Sequence, residues 1–441
     1  MTETETPKRY WIWTVGCQMN KVDSDRVADT LKARGYLPAD REEDADIIVL
    51  NSCAVRESAE RRVSGKLGNI VQLKKAKPEL LIGLTGCSVT ADIGATSKRF
   101  RGADLYFQPT RLDQFTEQLD ELWPVSQDPG QMPCWQEQPE QAESLGPTAY
   151  VPISNGCDKF CTYCIVPYRR GRERSRPAME IVDECGSLVK AGVKEITLLG
   201  QRVNAYGRDF KNGTDLADLL VLVDGIPGLQ RLRFLTSYPR DMSDKLIGTI
   251  AELNKVCEHI HLPGQAGNNV VLENMRRGYT REDYLQLAGR IRAAPGIALS
   301  TDIIVGFPGE TEAQFQDTLS LIEEVGFSTV YVAAYSPRAG TLSSRWPDDV
   351  SAEEKKDRVQ RLNAVQERIS LGQHQSLRGA EVEILVESTE SERRDLPQWQ
   401  GRTRQNRRVF VPRGEGEDLI GQTIRVRVEK VSPWAMQAVP A

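Results

Sequence analysis

Three cysteines stand within eight residues in SNGCDKFCTYC, Ser154–Cys164. They are Cys157, Cys161 and Cys164, spaced C-x3-C-x2-C. A structural zinc site asks for four protein ligands. No fourth lies close by: the nearest further cysteine is Cys185, and the only histidines are His259, His261 and His374. Three thiolates can instead hold three irons of a four-iron cluster and leave the fourth iron open to a ligand. A second trio is spread along the first hundred residues. Cys17 follows YWIWTVG, Cys53 follows DIIVLNS and Cys87 follows LLIGLTG, at intervals of 36 and 34 residues. Each interval is about one β/α unit, so all three fall just past the C-terminal ends of strands, where open α/β sheets bind ligands. That placement predicts a second three-cysteine cluster. Cys134, Cys185 and Cys257 fit no such pattern and read as a linker residue and two packing thiols. Nine cysteines is an odd number, which argues against a complete disulfide set.

The elements around these residues fall into an α/β chain of three parts and a linker. Over 8–123, apolar runs (YWIWTV, ADIIVLN, LLIGLT) alternate with amphipathic helical patterns. In VDSDRVADTLKARG, Val22, Val27 and Leu31 share one helix face and Gly35 ends it. The alternation predicts a parallel sheet with covering helices. Residues 124–147 are rich in Pro, Gln and Glu without apolar period, a linker. Over 148–372 six strand-like runs (AYVPI, EITLLG, LRFLTS, HIHLP, LSTDIIVGF, TVYVAAY) recur between helical patterns, predicting an open, partial (β/α)6 barrel. Its loops at the strand C-termini should carry the active site, and Cys157, Cys161 and Cys164 follow the first strand. Residues 373–441 read as a small all-β barrel.

A chain of 441 residues exceeds one ordinary core. Its polar, acidic start and the lack of any long apolar run predict a cytoplasmic protein without membrane association. In that compartment clustered cysteines mean metal or catalysis more often than disulfides. Net charge is −5, so bulk electrostatics do not point to nucleic acid. Two local runs do. YRRGRERSR, Tyr168–Arg176, holds five arginines against one glutamate, and GRTRQNRRVFVPR, Gly401–Arg413, holds five and no acid.

GCDKFCTYC resembles the cluster loop of radical S-adenosylmethionine (SAM) enzymes. The resemblance implies that the open iron chelates SAM and that one electron releases a 5′-deoxyadenosyl radical. Tyr163 stands where that superfamily often has an aromatic contacting adenine, and Gly306 and Glu310 in IIVGFPGE match a short G-x-x-E cofactor contact. With two clusters, a preceding α/β domain and a following β module, the chain resembles the methylthiotransferase family nearly end to end. LNSCAVRESAERRVSGKLG, CTYCIVPYRRGRERSR, LLGQRVNAYG, HLPGQAGNNVVLENMRRGYTRE, TDIIVGFPGETE and GRTRQN are similar to its tRNA branch, which makes 2-methylthio-N6-isopentenyladenosine. The last belongs to a TRAM-like RNA-binding module. What this implies is methylthiolation of C2 of adenosine 37, beside the anticodon, by two 4Fe-4S clusters. SAM serves as both radical source and methyl donor. Partners would be the tRNA anticodon arm and a reducing donor such as flavodoxin or ferredoxin, acting on a monomer. Arg169, Arg170, Arg172, Arg402, Arg404, Arg407 and Arg408 are the expected RNA contacts. Arg202, Gly264 and Ala266 depart from the branch pattern. Threonylcarbamoyl-adenosine in tRNA, a ribosomal-protein aspartate, and a non-enzymatic RNA-binding iron–sulfur protein are the alternatives.

Overall fold

The computed structural model describes residues 7–54, 57–123, 146–390, 397–414 and 417–441. Most of the predicted linker, with Cys134, lies outside them. The chain divides into two compact units. One gathers Met1–Glu140 with Gly156–Lys159 and Cys164–Arg172; the other gathers Gln141–Asn155, Phe160–Tyr163 and Glu173–Ala441.

In the first unit, β1 (Arg9–Thr14), β2 (Leu37–Pro38), β3 (Ile47–Ser52), β4 (Leu81–Gly86) and β5 (Leu105–Tyr106) form one parallel sheet in the order β2-β1-β3-β4-β5. Every residue of β3 and β4 is buried, which is why both read as unbroken apolar runs: helices cover the two faces. On one face Ile48, Leu50, Ile82 and Leu84 pack with Val63, Leu67 and Ile70 of α2 (Glu57–Ala76). On the other, Ile47, Val49 and Leu81 pack with Val27 and Leu31 of α1 (Gln18–Lys32) and with Phe115 and Leu119. A fully buried side chain of this size contributes about 1.5–3 kcal/mol relative to exposure. Helices α3 (Ile93–Arg99) and α4 (Leu112–Leu122) complete the layer.

In the second unit the six predicted barrel strands are all present. They are β6 (Thr148–Pro152), β9 (Glu195–Leu199), β10 (Arg231–Phe234), β11 (His259–His261), β12 (Ala298–Val305) and β13 (Thr329–Ala334). They run as two parallel sheets, β10-β9-β6 and β11-β12-β13, joined by a bridge from Leu232 to Val256. Two short strands, β7 (Ser154–Asn155) and β8 (Arg174–Ser175), pair antiparallel. They clamp the base of the segment that carries the clustered cysteines. Within that segment lies the short helix α5 (Val166–Arg170), counted with the first unit. The barrel helices are α6 (Ala178–Lys190), α7 (Leu216–Asp224), α8 (Asp244–Glu252), α9 (Asn269–Asn274), α10 (Arg281–Arg292), α11 (Glu312–Val325) and α12 (Ala352–Gln375). Asp215, Thr280 and Thr311 start α7, α10 and α11 with reciprocal capping boxes, satisfying two otherwise orphaned donors each.

The C-terminal module is a closed barrel of β14 (Glu381–Glu390), β15 (Gln398–Thr403), β16 (Arg408–Pro412), β17 (Thr423–Val431) and β18 (Met436–Pro440). Alternating inward residues, among them Ile384, Val386, Trp399, Val411 and Val428, fill it. Closure removes the exposed edges that an open sheet would leave. Among the described residues no helix is long and apolar enough to cross a membrane.

Candidate functional site

The first unit gathers Cys17, Cys53 and Cys87 at the C-terminal ends of β1, β3 and β4. Cys17 takes the N-cap of α1, so the helix begins a turn earlier than the amphipathic pattern indicates. The Cys17 thiol donates to Asn20 Oδ1 at 3.3 Å. Asn20 is fully buried and donates to Asn51 Oδ1 at 3.0 Å and to the Ser52 carbonyl at 2.8 Å, and Asn51 Nδ2 returns a bond to the Asn20 carbonyl at 2.7 Å. The Cys87 amide donates to that same Ser52 carbonyl at 2.9 Å. Two glycines make the approach possible. Gly16, at φ +136°, lies so close to Cys53 that an added Cβ would stand 2.9 Å from the Cys53 Cβ; Gly86, at φ +97°, would place one 2.1 Å from the Ser52 carbonyl oxygen. Both conformations are ones that side chains resist.

Arg170 belongs to this cysteine site. Its guanidinium donates to Asp23 Oδ2 at 2.6 Å, with both side chains only 5% exposed. Burial pushes the Cys87 thiol up, the adjacent Arg170 charge pulls it down, and Cys17 adds to the rise. Arg170 is thus turned inward onto Asp23, because the five-residue α5 carries it against α1 and the strand ends. Arg169 is half-buried; burial and the nearby Arg99 charge lower its guanidinium, and its Nε finds no hydrogen-bond partner among the described residues. Arg172 is exposed and pairs with Asp158 at 2.9 Å. Cys157 donates its amide to the Gly171 carbonyl at 3.1 Å, and its sulfur accepts from Lys159 N at 3.4 Å. Cys164 is half-buried, and the adjacent Ile165 packs against Ala54 and Cys87.

Cys161 and Tyr163 belong to the second unit. Thr162 between them is anchored three ways. Its amide donates to the Met275 carbonyl at 3.2 Å, its hydroxyl donates to the Asn274 carbonyl at 2.8 Å, and its carbonyl accepts from Ser343 N at 2.9 Å. Cys161 is buried, and Arg277 Nη1 lies 3.5 Å from its sulfur and 3.4 Å from the Tyr163 hydroxyl. The Tyr163 ring meets Phe307 edge-on at 6.4 Å. Glu310 is buried, accepts from Gly306 N and pairs with Arg358 at 2.9 Å, with side chains 0% and 1% exposed. Its carboxylate therefore fastens the turn after β12 to α12. The departing residues are also internal. Arg202 pairs with Glu173 at 2.7 Å and Asp241 at 3.4 Å; Gly264 N donates to Thr301 Oγ1 at 2.8 Å; Ala266 is buried.

The module arginines divide. Arg402 pairs with Glu387 at 2.7 Å and lies 3.6 Å from Glu195. Arg404 forks Glu258 through two contacts of 2.8 Å; burial works against that carboxylate, yet the fork holds it below the usual range. From the barrel, Arg231 and Arg233 donate to the carbonyls of Arg402, Thr403 and Arg404. These charges lock module to barrel. Arg407 is half-buried, its guanidinium lowered by burial. Arg408 is exposed and makes no ion pair among the described residues. Cys185 and Cys257 are buried thiols pushed up to about 12 and about 11 by desolvation, inert packing groups.

The thiol donors of both trios are of the kind that holds an iron–sulfur cluster. Among the described residues no fourth ligand joins either trio, and a buried guanidinium lies beside one thiol of each, Arg170 beside Cys87 and Arg277 beside Cys161. Among the described residues no three His, Cys, Asp or Glu side chains close on one point as ligands of a single ion do; ligands of a four-iron body each hold their own iron and stand wider.

Known proteins bear on this arrangement. The Radical SAM superfamily matches residues 151–322, an uncharacterized protein family matches 9–108, and the TRAM domain matches 375–439. A tRNA-2-methylthio-N(6)-dimethylallyladenosine synthase of Moorella thermoacetica is 45% identical over 438 residues, 98% of each chain. Relatives of the same name from Dehalococcoides mccartyi (43%, 97% of each chain) and Chloroflexus aurantiacus (44%, 99% of this chain and 92% of that one) match equally fully. Among solved structures, the radical S-adenosylmethionine methyltransferase TsrM of Kitasatospora setae, with cobalamin and a [4Fe-4S] cluster bound, superposes with TM-score 0.56 at 14% identity. The match covers 77% of each chain and speaks to fold alone. Fold and cysteine placement define a radical SAM enzyme with an N-terminal α/β domain and a TRAM module. The chain belongs to the family of tRNA-2-methylthio-N(6)-dimethylallyladenosine synthases.

Proposed function

We propose that this chain is a tRNA methylthiotransferase that replaces the C2 hydrogen of N6-dimethylallyladenosine, at position 37 beside the anticodon, with a methylthio group. The observation that carries the reading is the convergence of Cys17, Cys53 and Cys87 at three consecutive strand ends, in a chain that also carries the C-x3-C-x2-C loop. Cys157, Cys161 and Cys164 would hold one 4Fe-4S cluster and Cys17, Cys53 and Cys87 another. When bound, these clusters and SAM supply the carbon radical that opens a strong C–H bond and the sulfur and methyl that replace the hydrogen.

The chain's own residues do the rest. Thr162, tied to Asn274, Met275 and Ser343, holds Cys161 and Tyr163 in place. Tyr163 offers a ring for adenine. Gly306 and Glu310 act on the cofactor only by shaping the turn after β12. Phosphate attraction falls to the exposed arginines, Arg172 and Arg408, with Arg169 and Arg407 half-available. The base must leave its stack, which a single-stranded anticodon loop permits at a cost of a few kcal/mol. A flavodoxin- or ferredoxin-class donor supplies electrons to a cytoplasmic monomer.

The test is mass spectrometry of tRNA nucleosides from a strain lacking the gene. The 2-methylthio derivative should vanish while N6-dimethylallyladenosine accumulates, and the intact gene should restore it. Unchanged methylthio nucleoside, or accumulation of threonylcarbamoyl-adenosine instead, would refute the assignment.

A further inference from the structure

Arg277 sits in the turn between α9 and α10 and is 5% exposed. Its side chain is fully engaged. Nε donates to the Tyr279 hydroxyl at 2.9 Å and Nη2 to the Pro263 carbonyl at 2.8 Å. Nη1 reaches the Tyr163 hydroxyl at 3.4 Å and the Cys161 sulfur at 3.5 Å. The guanidinium lies 4.8 Å from the centre of the Tyr238 ring and 5.4 Å from that of Tyr279. None of these partners is a carboxylate. Other buried arginines have one: Arg202 has Glu173 and Asp241, Arg233 has Glu195, Arg358 has Glu310, and Arg170 has Asp23.

A buried cation without an anion is costly, by several kcal/mol for an isolated ion, and aromatic faces return only about 0.5–2 kcal/mol. The charge therefore asks for a negative group. Tyr238 is a poor candidate, because burial pushes its phenol up to about 12. The Tyr163 and Tyr279 hydroxyls in contact are phenols too, and burial also raises Tyr279; the contacting atom that becomes an anion on binding a metal is the Cys161 sulfur.

We propose that Arg277 is a positioning residue whose charge is the counter-ion of the Cys161 thiolate and of the cluster that thiolate would hold, and that it raises this cluster's reduction potential. The proposal rests on the reading of Cys157, Cys161 and Cys164 as cluster ligands. One-electron reduction adds a negative charge to the cluster, and a fixed cation in a dry site stabilises the reduced form more than the oxidised one. The bonds to Pro263 and Tyr279 keep that cation from swinging away when the electron arrives.

The experiment uses the full-length chain with Cys17, Cys53 and Cys87 replaced by alanine, reconstituted anaerobically so that only the loop cluster titrates. Its reduction midpoint is followed by electron paramagnetic resonance without SAM. Arg277→Gln should keep its iron but shift the midpoint to a more negative value, so that a smaller fraction is reduced at a fixed low potential. Arg277→Lys should stay near the parent. A glutamine variant with full iron and an unchanged midpoint overturns the proposal, including when its SAM binding is weakened. If the glutamine variant loses iron, the lysine variant decides. Iron retained there supports the charge argument, and iron lost there as well overturns it in favour of a purely steric role. Cys161→Ala in the same background tests the underlying reading separately: full iron there would show that the ligand assignment, not Arg277, is wrong.

Discussion

Replacing Arg170 with methionine removes a guanidinium from a pair whose two side chains are each 5% exposed, and leaves the Asp23 carboxylate buried beside the ends of β1 and β3. A surface pair would be worth about 0–1 kcal/mol, but breaking a buried one costs about 3–5 kcal/mol because the survivor keeps its desolvation penalty. The cost should appear within the first unit, since α5, Asp23 and Cys87 all belong to it. Native-state hydrogen exchange of the β3 and β4 amides reads it directly. A loss of 3–5 kcal/mol in opening free energy speeds exchange by roughly two to three and a half powers of ten. Arg170→Met combined with Asp23→Asn removes both charges and should recover part of the loss, while Arg170→Lys should fall between, because an ammonium keeps the charge but not the planar, preorganised donors of the guanidinium. The salt dependence of tRNA binding should not change in any of them. Exchange within threefold of the parent, or a flatter salt slope, would refute the internal role and return Arg170 to the surface.

Reconstituted protein should hold about eight irons, and either cysteine triple variant about four, by iron assay. Gly86→Ala forces a Cβ onto the Ser52 carbonyl at a positive φ, a strain of at least about 1–3 kcal/mol, and should lower iron to about four without touching a ligand. Arg172→Gln with Arg408→Gln should lower the salt slope of tRNA binding by about two, whereas Arg402→Gln with Arg404→Gln should loosen the module and leave the slope nearly unchanged. A chain ending at Gln373 strips Arg231 and Arg233 of their carbonyl acceptors, so its barrel should melt earlier in calorimetry.

Strands, their order of appearance and the placing of Cys17, Cys53 and Cys87 just past strand ends were legible in the sequence because the signals are local. A parallel strand covered on both faces must be a continuous apolar run, as β3 and β4 are, and a ligand at its C-terminal end must be the next residue or two. The C-x3-C-x2-C spacing speaks through the missing fourth ligand alone. Charge direction was not legible. Arg170 and Arg172 are two residues apart in one run, yet α5 turns the first onto Asp23 and leaves the second exposed, and Asp23 is 147 positions away. The same holds in GRTRQNRR, where Arg402 and Arg404 meet acids of the module and barrel while Arg408 faces out. Glu310 acquires its meaning from Arg358, 48 residues on. Arg277 acquires its own from Cys161, 116 positions back, with no carboxylate paired to it among the described residues. The guanidinium carries its charge whatever its neighbours in the chain; which way that charge points depends on long-range packing, and only the tertiary structure decides it.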